Sequence, residues 1–208
     1  MARARASPAG GPITAAMARR RGPVGREFGS YALDVWQISL LGPLEVRRDD
    51  RPFVVPRGKA SELLVRLAIE AGVHVPAARL VDDLWPGVVG ARLNTLQAKV
   101  TLLRRALGDS RLIVSGDGGY ALAVPPAAVD ALAMVGQVVT ASELLDAGDD
   151  RGAADLCEAT LRLFHGDLLP AAGDGQWVIP HRVRFEEARM RLLGIRFAAR
   201  SRLGDVGM

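Results

Sequence analysis

A chain of 208 residues with 49% hydrophobic content has room for two small domains, each with its own core, which excludes disorder throughout. A lone cysteine, Cys157, rules out an internal disulfide framework and fits a reducing cytoplasm; it reads as a core residue. The net charge of +4 is uneven: residues 1 to 35 carry six arginines against two acids, residues 36 to 125 twelve basic against nine acidic, and residues 126 to 208 nine against twelve. Any footprint for a polyanion therefore belongs to the first two thirds, and the acidic rear is better suited to protein contacts.

The first 35 residues, rich in Arg, Gly and Pro, read as a disordered basic tail, with Met17 as a second start. From Trp36 three short extended segments follow, WQISLLG, PLEVRR and PFVVP, separated by Gly42-Pro43 and by the turn Asp49-Asp50-Arg51-Pro52. Gly58 to Ala71 then has helical spacing, with Leu63, Leu64, Leu67 and Ala71 on one stripe and Val65 and Ile69 on another, so this helix is expected to be largely buried. Pro76 opens a second helix that offers Leu80, Val81, Leu84 and Trp85 to a core and stops at Pro86-Gly87.

Leu93, Leu96, Val100, Leu103 and Leu107 recur at spacings of three and four, the pattern of a helix with one buried seam. The opposite face carries Asn94, Thr95, Ala98, Thr101, Leu102 and Arg105, with Gln97, Lys99 and Arg104 on its shoulders. Beyond Gly108, RLIVS and YALAV flank Gly116 to Gly119 and read as a hairpin. Strands, three helices and a hairpin make the order of a winged helix-turn-helix, expected here at 36 to 125.

In such an arrangement the third helix enters the major groove and the hairpin reaches the flanking backbone. Asn94, Gln97 and Thr101 are then expected to face bases, because amides and hydroxyls can donate to and accept from base edges. Arg104 and Arg105 are expected to meet phosphates, Lys99 on the shoulder can reach base edges or phosphates, and Ser115 on the hairpin is a further DNA-contact candidate. Arg57 and Lys59, just before the first helix, are further phosphate candidates.

After Pro125-Pro126 the pattern turns helical, with helices expected at about 130 to 147, 151 to 165 and 178 to 203. The first two form an antiparallel pair through Leu144, Leu145, Ala154, Leu161 and Phe164, resembling a tetratricopeptide-type unit. One and a half such units leave a repeat stack unfinished, so residues 126 to 208 read as a partial, apparently truncated module, marginally stable alone. Trp177 is expected to anchor that module's core.

No chemistry of turnover is visible. His74, His165 and His181 are far apart and read as surface or loop residues, no cluster has metal spacing, and no GxxxxGK[ST] occurs, so neither metal nor cofactor is expected. Glu186 and Glu187 point about 100° apart on a helix and read as ion-pair partners of Arg184, Arg189 and Arg191.

ISLLGPLEV (38 to 46), PAARLVDDLWPG (76 to 87), NTLQAKVTLLRRALG (94 to 108), GGYAL (118 to 122), LFHGDLLP and the FEEARMRLL helix together resemble the antibiotic regulatory protein family of actinobacteria, over about residues 37 to 205. The resemblance implies an α+β chain: an OmpR-type winged helix-turn-helix joined to a bacterial transcriptional activation domain at 126 to 208. It also implies double-stranded DNA as partner, tandem direct repeats near promoters, self-association on those repeats, and RNA polymerase as a contact. Leu102 stands where the family commonly has a basic residue and offers an apolar surface to a thymine methyl. Asp117 at the hairpin tip repels phosphates. The competing reading is a helical scaffold or shortened regulator that binds protein partners without productive DNA binding; an enzyme and a membrane protein are both disfavoured.

Overall fold

The computed structural model describes residues 36–87 and 92–204; the expected basic tail lies outside them. β1 (Trp36–Ser39), β2 (Glu45–Arg48) and β3 (Arg51–Phe53) form an antiparallel sheet in chain order, with Ile38 opposite Val46 and Val46 opposite Phe53. Trp36 and Ile38 are buried while Gln37 between them is exposed, the period of two that turns one face to a core. The β2–β3 turn is only Asp49-Asp50, both at positive φ (48° and 63°), a conformation that suits a tight hairpin and that Asp tolerates better than most residues.

α1 (Lys59–Ala68) is buried on both of its apolar strips. Arg66 lies between them and is only 1% exposed. Its Nε donates to Asp83 Oδ2 at 2.7 Å and its Nη1 to Glu70 Oε1 at 2.9 Å, and its guanidinium sits 5.7 Å from the Trp177 ring centroid. A charge this deep is tolerable only when so compensated.

The chain then forms β4 (Val75–Pro76), a strand of two residues whose Pro76 is expected from the sequence to open the helix, and α2 (Ala77–Leu84). After α3 (Leu93–Ala106) come β5 (Ile113–Gly116) and β6 (Gly119–Leu122), and the second sheet has the order β4-β6-β5. The β5–β6 turn is two residues, Asp117 and Gly118, both at positive φ. Gly119 is obligatory for closeness: a Cβ there would lie 2.0 Å from the Val75 carbonyl oxygen.

The rear of the molecule is helical: α4 (Asp130–Asp146), α5 (Asp150–Leu161) and α6 (Ile179–Arg202). Gly148, at φ 80°, ends α4, and the Asp149 carboxylate caps α5 by accepting from Gly152 N at 2.9 Å. α5 stops at Leu161 rather than near 165, because the His165 amide is drawn away to bond the Leu41 carbonyl at 2.9 Å. Between α5 and α6, Arg182 donates to the carbonyls of Leu168, Leu169 and Gly173 and holds that loop in place.

The front and rear share one hydrophobic cluster, running from Trp36 and the α1 leucines through Met134 and Cys157 to Phe185 and Leu192. The join is made at the end of β1. The Asp130 carboxylate accepts from the amides of Leu40 (2.7 Å), Leu41 (3.3 Å) and Ala131 (2.7 Å), and Ile38 bridges to Val129 in parallel. Burial pushes the Asp130 carboxyl above the usual carboxylate range, opposed by those same amide donors.

Candidate nucleic-acid interface

α3 is held from behind. Leu96, Val100, Leu103 and Leu107 are buried, as their spacing requires. Leu93 departs from the expected seam: it is 48% exposed, because it begins the helix, beyond the surface that covers the later turns. Facing outward are Asn94, Gln97, Thr101 and Arg105, at spacings of three, four and four, with Ala98 and Leu102 also exposed. No acidic residue occurs in α3, so the charges of Lys99, Arg104 and Arg105 are uncompensated within it.

The nine candidate residues fall into two groups. Asn94, Gln97 and Arg105 are exposed on α3, and Lys99 is partly exposed beside them. The Thr101 hydroxyl donates back to the Gln97 carbonyl at 2.9 Å, so its proton is committed and its remaining oxygen lone pairs and methyl face outward. Arg104 is partly buried. Its Nε and Nη2 donate to the Ile113 carbonyl at 2.9 and 2.5 Å, and its Nη2 reaches Ser115 Oγ at 3.0 Å. The sequence placed Arg104 and Ser115 as separate candidates; the structure joins them as a strap between α3 and β5.

Arg57 and Lys59 form the second group, at the start of α1. Arg57 is exposed and lines a cleft of about 620 Å³ with Val54 and Pro170, and Lys59 Nζ is engaged by Glu62 Oε2 at 2.6 Å. The structure shows no contact between this pair and the α3 face. Arg92, partly exposed, immediately precedes α3 and makes no side-chain cap bond to it.

Around α3 the electrostatics are mixed. The Arg111 side chain donates to the Asp109 carboxylate and holds it below the usual range, and Arg48 Nη1 approaches it at 3.9 Å. The tip residue Asp117 is exposed. Among the described residues no group of three or more His, Cys, Asp or Glu could hold a metal ion, and no helix is long and apolar enough to cross a membrane.

The histidines are less peripheral than their spacing suggested. His181 is half-buried in α6, edge-on to Trp177 at 6.4 Å, and burial, then Arg66, depresses its pKa. His74 Nε2 is buried with no hydrogen-bond partner among the described residues. Trp177 packs on the shared cluster beneath Arg66, so it anchors the junction with α1 rather than the helical module alone. Of the expected α6 ion pairs, Arg189 to Glu186 is present at 3.7 Å.

A family model, the bacterial transcriptional activator domain, matches residues 129–207. Transcriptional regulator RedD of Streptomyces coelicolor is 33% identical over 165 residues, covering 76% of this chain and 47% of that protein. Regulatory protein DnrI of Streptomyces peucetius is 32% identical over 186 residues, covering 81% and 66%. Mycobacterium tuberculosis EmbR, solved in complex with a low-affinity phosphopeptide, superposes with a TM-score of 0.76 at 24% identity over 82% of this chain and 47% of that one, which shows a shared fold. The chain thus spans about half to two thirds of the length of these relatives. They define a class, bacterial transcriptional regulators rather than enzymes. The chain belongs to the antibiotic regulatory protein family.

Proposed function

We propose that the chain is a sequence-specific DNA-binding activator, in which residues 36 to 125 act as a winged helix-turn-helix and residues 126 to 208 as the activating module. The observation that carries this reading is the outward face of α3: amide, hydroxyl and guanidinium groups on a rigid helix free of acidic residues, with a hairpin strapped beside it by Arg104. Asn94, Gln97 and Thr101 read base edges in the major groove, where each base pair presents a distinct donor and acceptor pattern. Lys99 and Arg105 neutralise phosphates, and Leu102, 40% exposed, contributes apolar contact. Arg57 and Lys59 are the outer phosphate contacts, with Lys59 first releasing Glu62. Arg104 and Ser115 act mainly by positioning the hairpin against α3.

Family membership supports the remaining parts: tandem direct repeats as the operator, self-association on them, RNA polymerase as the target of the helical module, and a cytoplasmic site of action. The test is selection of binding sites from random DNA duplexes by the wild type and by Asn94→Ala and Gln97→Ala. A recovered motif that changes in the variants supports the reading; identical motifs, or no enrichment with the wild type, overturn it.

A further inference from the structure

The outward face of α3 is polar at its two ends, with Asn94 and Gln97 near its start and Arg105 near its finish, but its middle is carbon. Ala98, Thr101 and Leu102 are all exposed, Leu102 by 40%. Residues three and four apart are neighbours on a helix surface, so Ala98 lies beside both of the others and the three form one small patch. Thr101 belongs to it because its hydroxyl proton is turned onto the Gln97 carbonyl at 2.9 Å, which leaves the methyl group and the oxygen lone pairs facing out.

What this patch can recognise follows from what the major groove offers. Guanine, adenine and cytosine present only donors and acceptors there, and a carbon surface laid on those displaces water without returning a hydrogen bond. Thymine also presents a methyl group, on C5. The cations of α3 point the same way. Guanine is most often claimed by an arginine or lysine at O6 and N7, yet Arg104 spends its Nε and Nη2 on the Ile113 carbonyl and Ser115. Arg105 stands a full turn beyond Thr101, and Lys99 leaves the helix about 100° round from Ala98. The Thr101 lone pairs add to the preference, since the adenine paired with thymine presents its N6 amino group as a donor.

We infer that the Ala98–Thr101–Leu102 patch is a contact for the methyl group at pyrimidine C5, so that the operator carries a thymine beneath it and 5-methylcytosine replaces that thymine where cytosine does not. The inference rests on the DNA-binding reading above and adds to it the identity of one base and a sensitivity to cytosine methylation. Recognition is of the methyl group itself, which both bases carry on the same ring atom.

The test uses the full chain and the duplex that it selects from random DNA. Each thymine is replaced in turn by deoxyuridine, which lacks only the methyl group, and affinity is read by fluorescence anisotropy. One thymine under each recognition helix is expected to cost about fourfold on replacement, the worth of one buried carbon group. Cytosine at that position should bind more weakly still, and 5-methylcytosine should recover about fourfold of the loss. Leu102→Ala should bring the thymine and deoxyuridine duplexes close to equal affinity, whereas a merely structural role for Leu102 would weaken both and keep their ratio. Leu102 is exposed, and an unchanged thermal midpoint shows that the variant is folded. Free replacement of every thymine, or a thymine preference that survives Leu102→Ala unaltered, overturns the inference and leaves DNA binding standing. Failure to enrich any duplex overturns the DNA-binding reading and this inference with it.

Discussion

α3 and α6 are the same device put to opposite ends. Each is a long helix with one face sunk in the shared cluster and one face bare. The bare face of α3 is polar and without acids, so it is content in water and offers hydrogen bonds; that of α6 is apolar with arginine edges, so water is its poorer neighbour. Burial fixes where a helix sits, but the residue types left outside decide what it can meet. Outward, α3 offers hydrogen bonds and positive charge, whereas α6 offers apolar surface.

The largest effect should come from the buried sides, which ought to behave alike. Leu103→Ala in α3 and Phe185→Ala in α6 should each cost about 3 to 4 kcal/mol, while Leu102→Ala and Phe197→Ala on the bare sides stay within about 0.5 kcal/mol. Urea unfolding measures all four. A large loss at Phe197 would break the comparison, since it would mean that this face is covered within the molecule.

Next is Arg66, which joins the two regions. Arg66→Met leaves Asp83 and Glu70 without their counter-charge and should cost about 2 kcal/mol, less than for a fully buried pair because both carboxylates are partly exposed. Equal urea midpoints for variant and wild type would show that the methionine's packing fully offsets the lost ion pairs.

Arg104 and Arg105 sharpen the distinction between strap and contact. Arg104→Ala should lower stability by about 1 kcal/mol through its bonds to Ile113 and Ser115. Arg105→Ala should leave stability alone and reduce the salt dependence of DNA binding by about 0.9 in log–log slope. Calorimetry and anisotropy titrations against salt separate the two, and an unaltered slope in Arg105→Ala removes it from the interface.

The smallest effect is a pH dependence at the junction. The His181 pKa lies below its ordinary 6.5 in the folded chain, first through burial and then through Arg66. Protonation therefore favours unfolding: the contribution is fully present above about 6.5 and is lost as pH falls from there toward the depressed value. His181→Gln should flatten the decline in urea midpoint between pH 7.5 and 5.5, and an identical decline would assign it to other groups.

The helices and hairpin were legible in the sequence because apolar spacing survives without any knowledge of partners. Leu96 to Leu107 announce α3, and Gly118 announces its turn. β4 was not legible, since two residues have no period and Pro76 also suits a helix start. Nor was the burial of Arg66: it lies between two apolar strips of α1, and what makes it tolerable, Asp83 and Trp177, is 17 and 111 positions away. For the candidate site, side-chain type and helical face were readable. That Arg104 is tied to β5 and Lys59 to Glu62 depends on rotamers and neighbours that no spacing encodes.

The carboxylate of Asp130, set against the amides at the end of β1, governs how this chain can be cut and recombined. A break at 125 looks natural along the sequence, but it would strip Val129 from Ile38 and leave Leu40 and Leu41 without their acceptor. β1 is in effect an outlying part of the rear half. A chimera that exchanges helical modules among relatives must carry residues 36 to 41 along with residues 126 to 204, with only the segment between the two taken from the other parent.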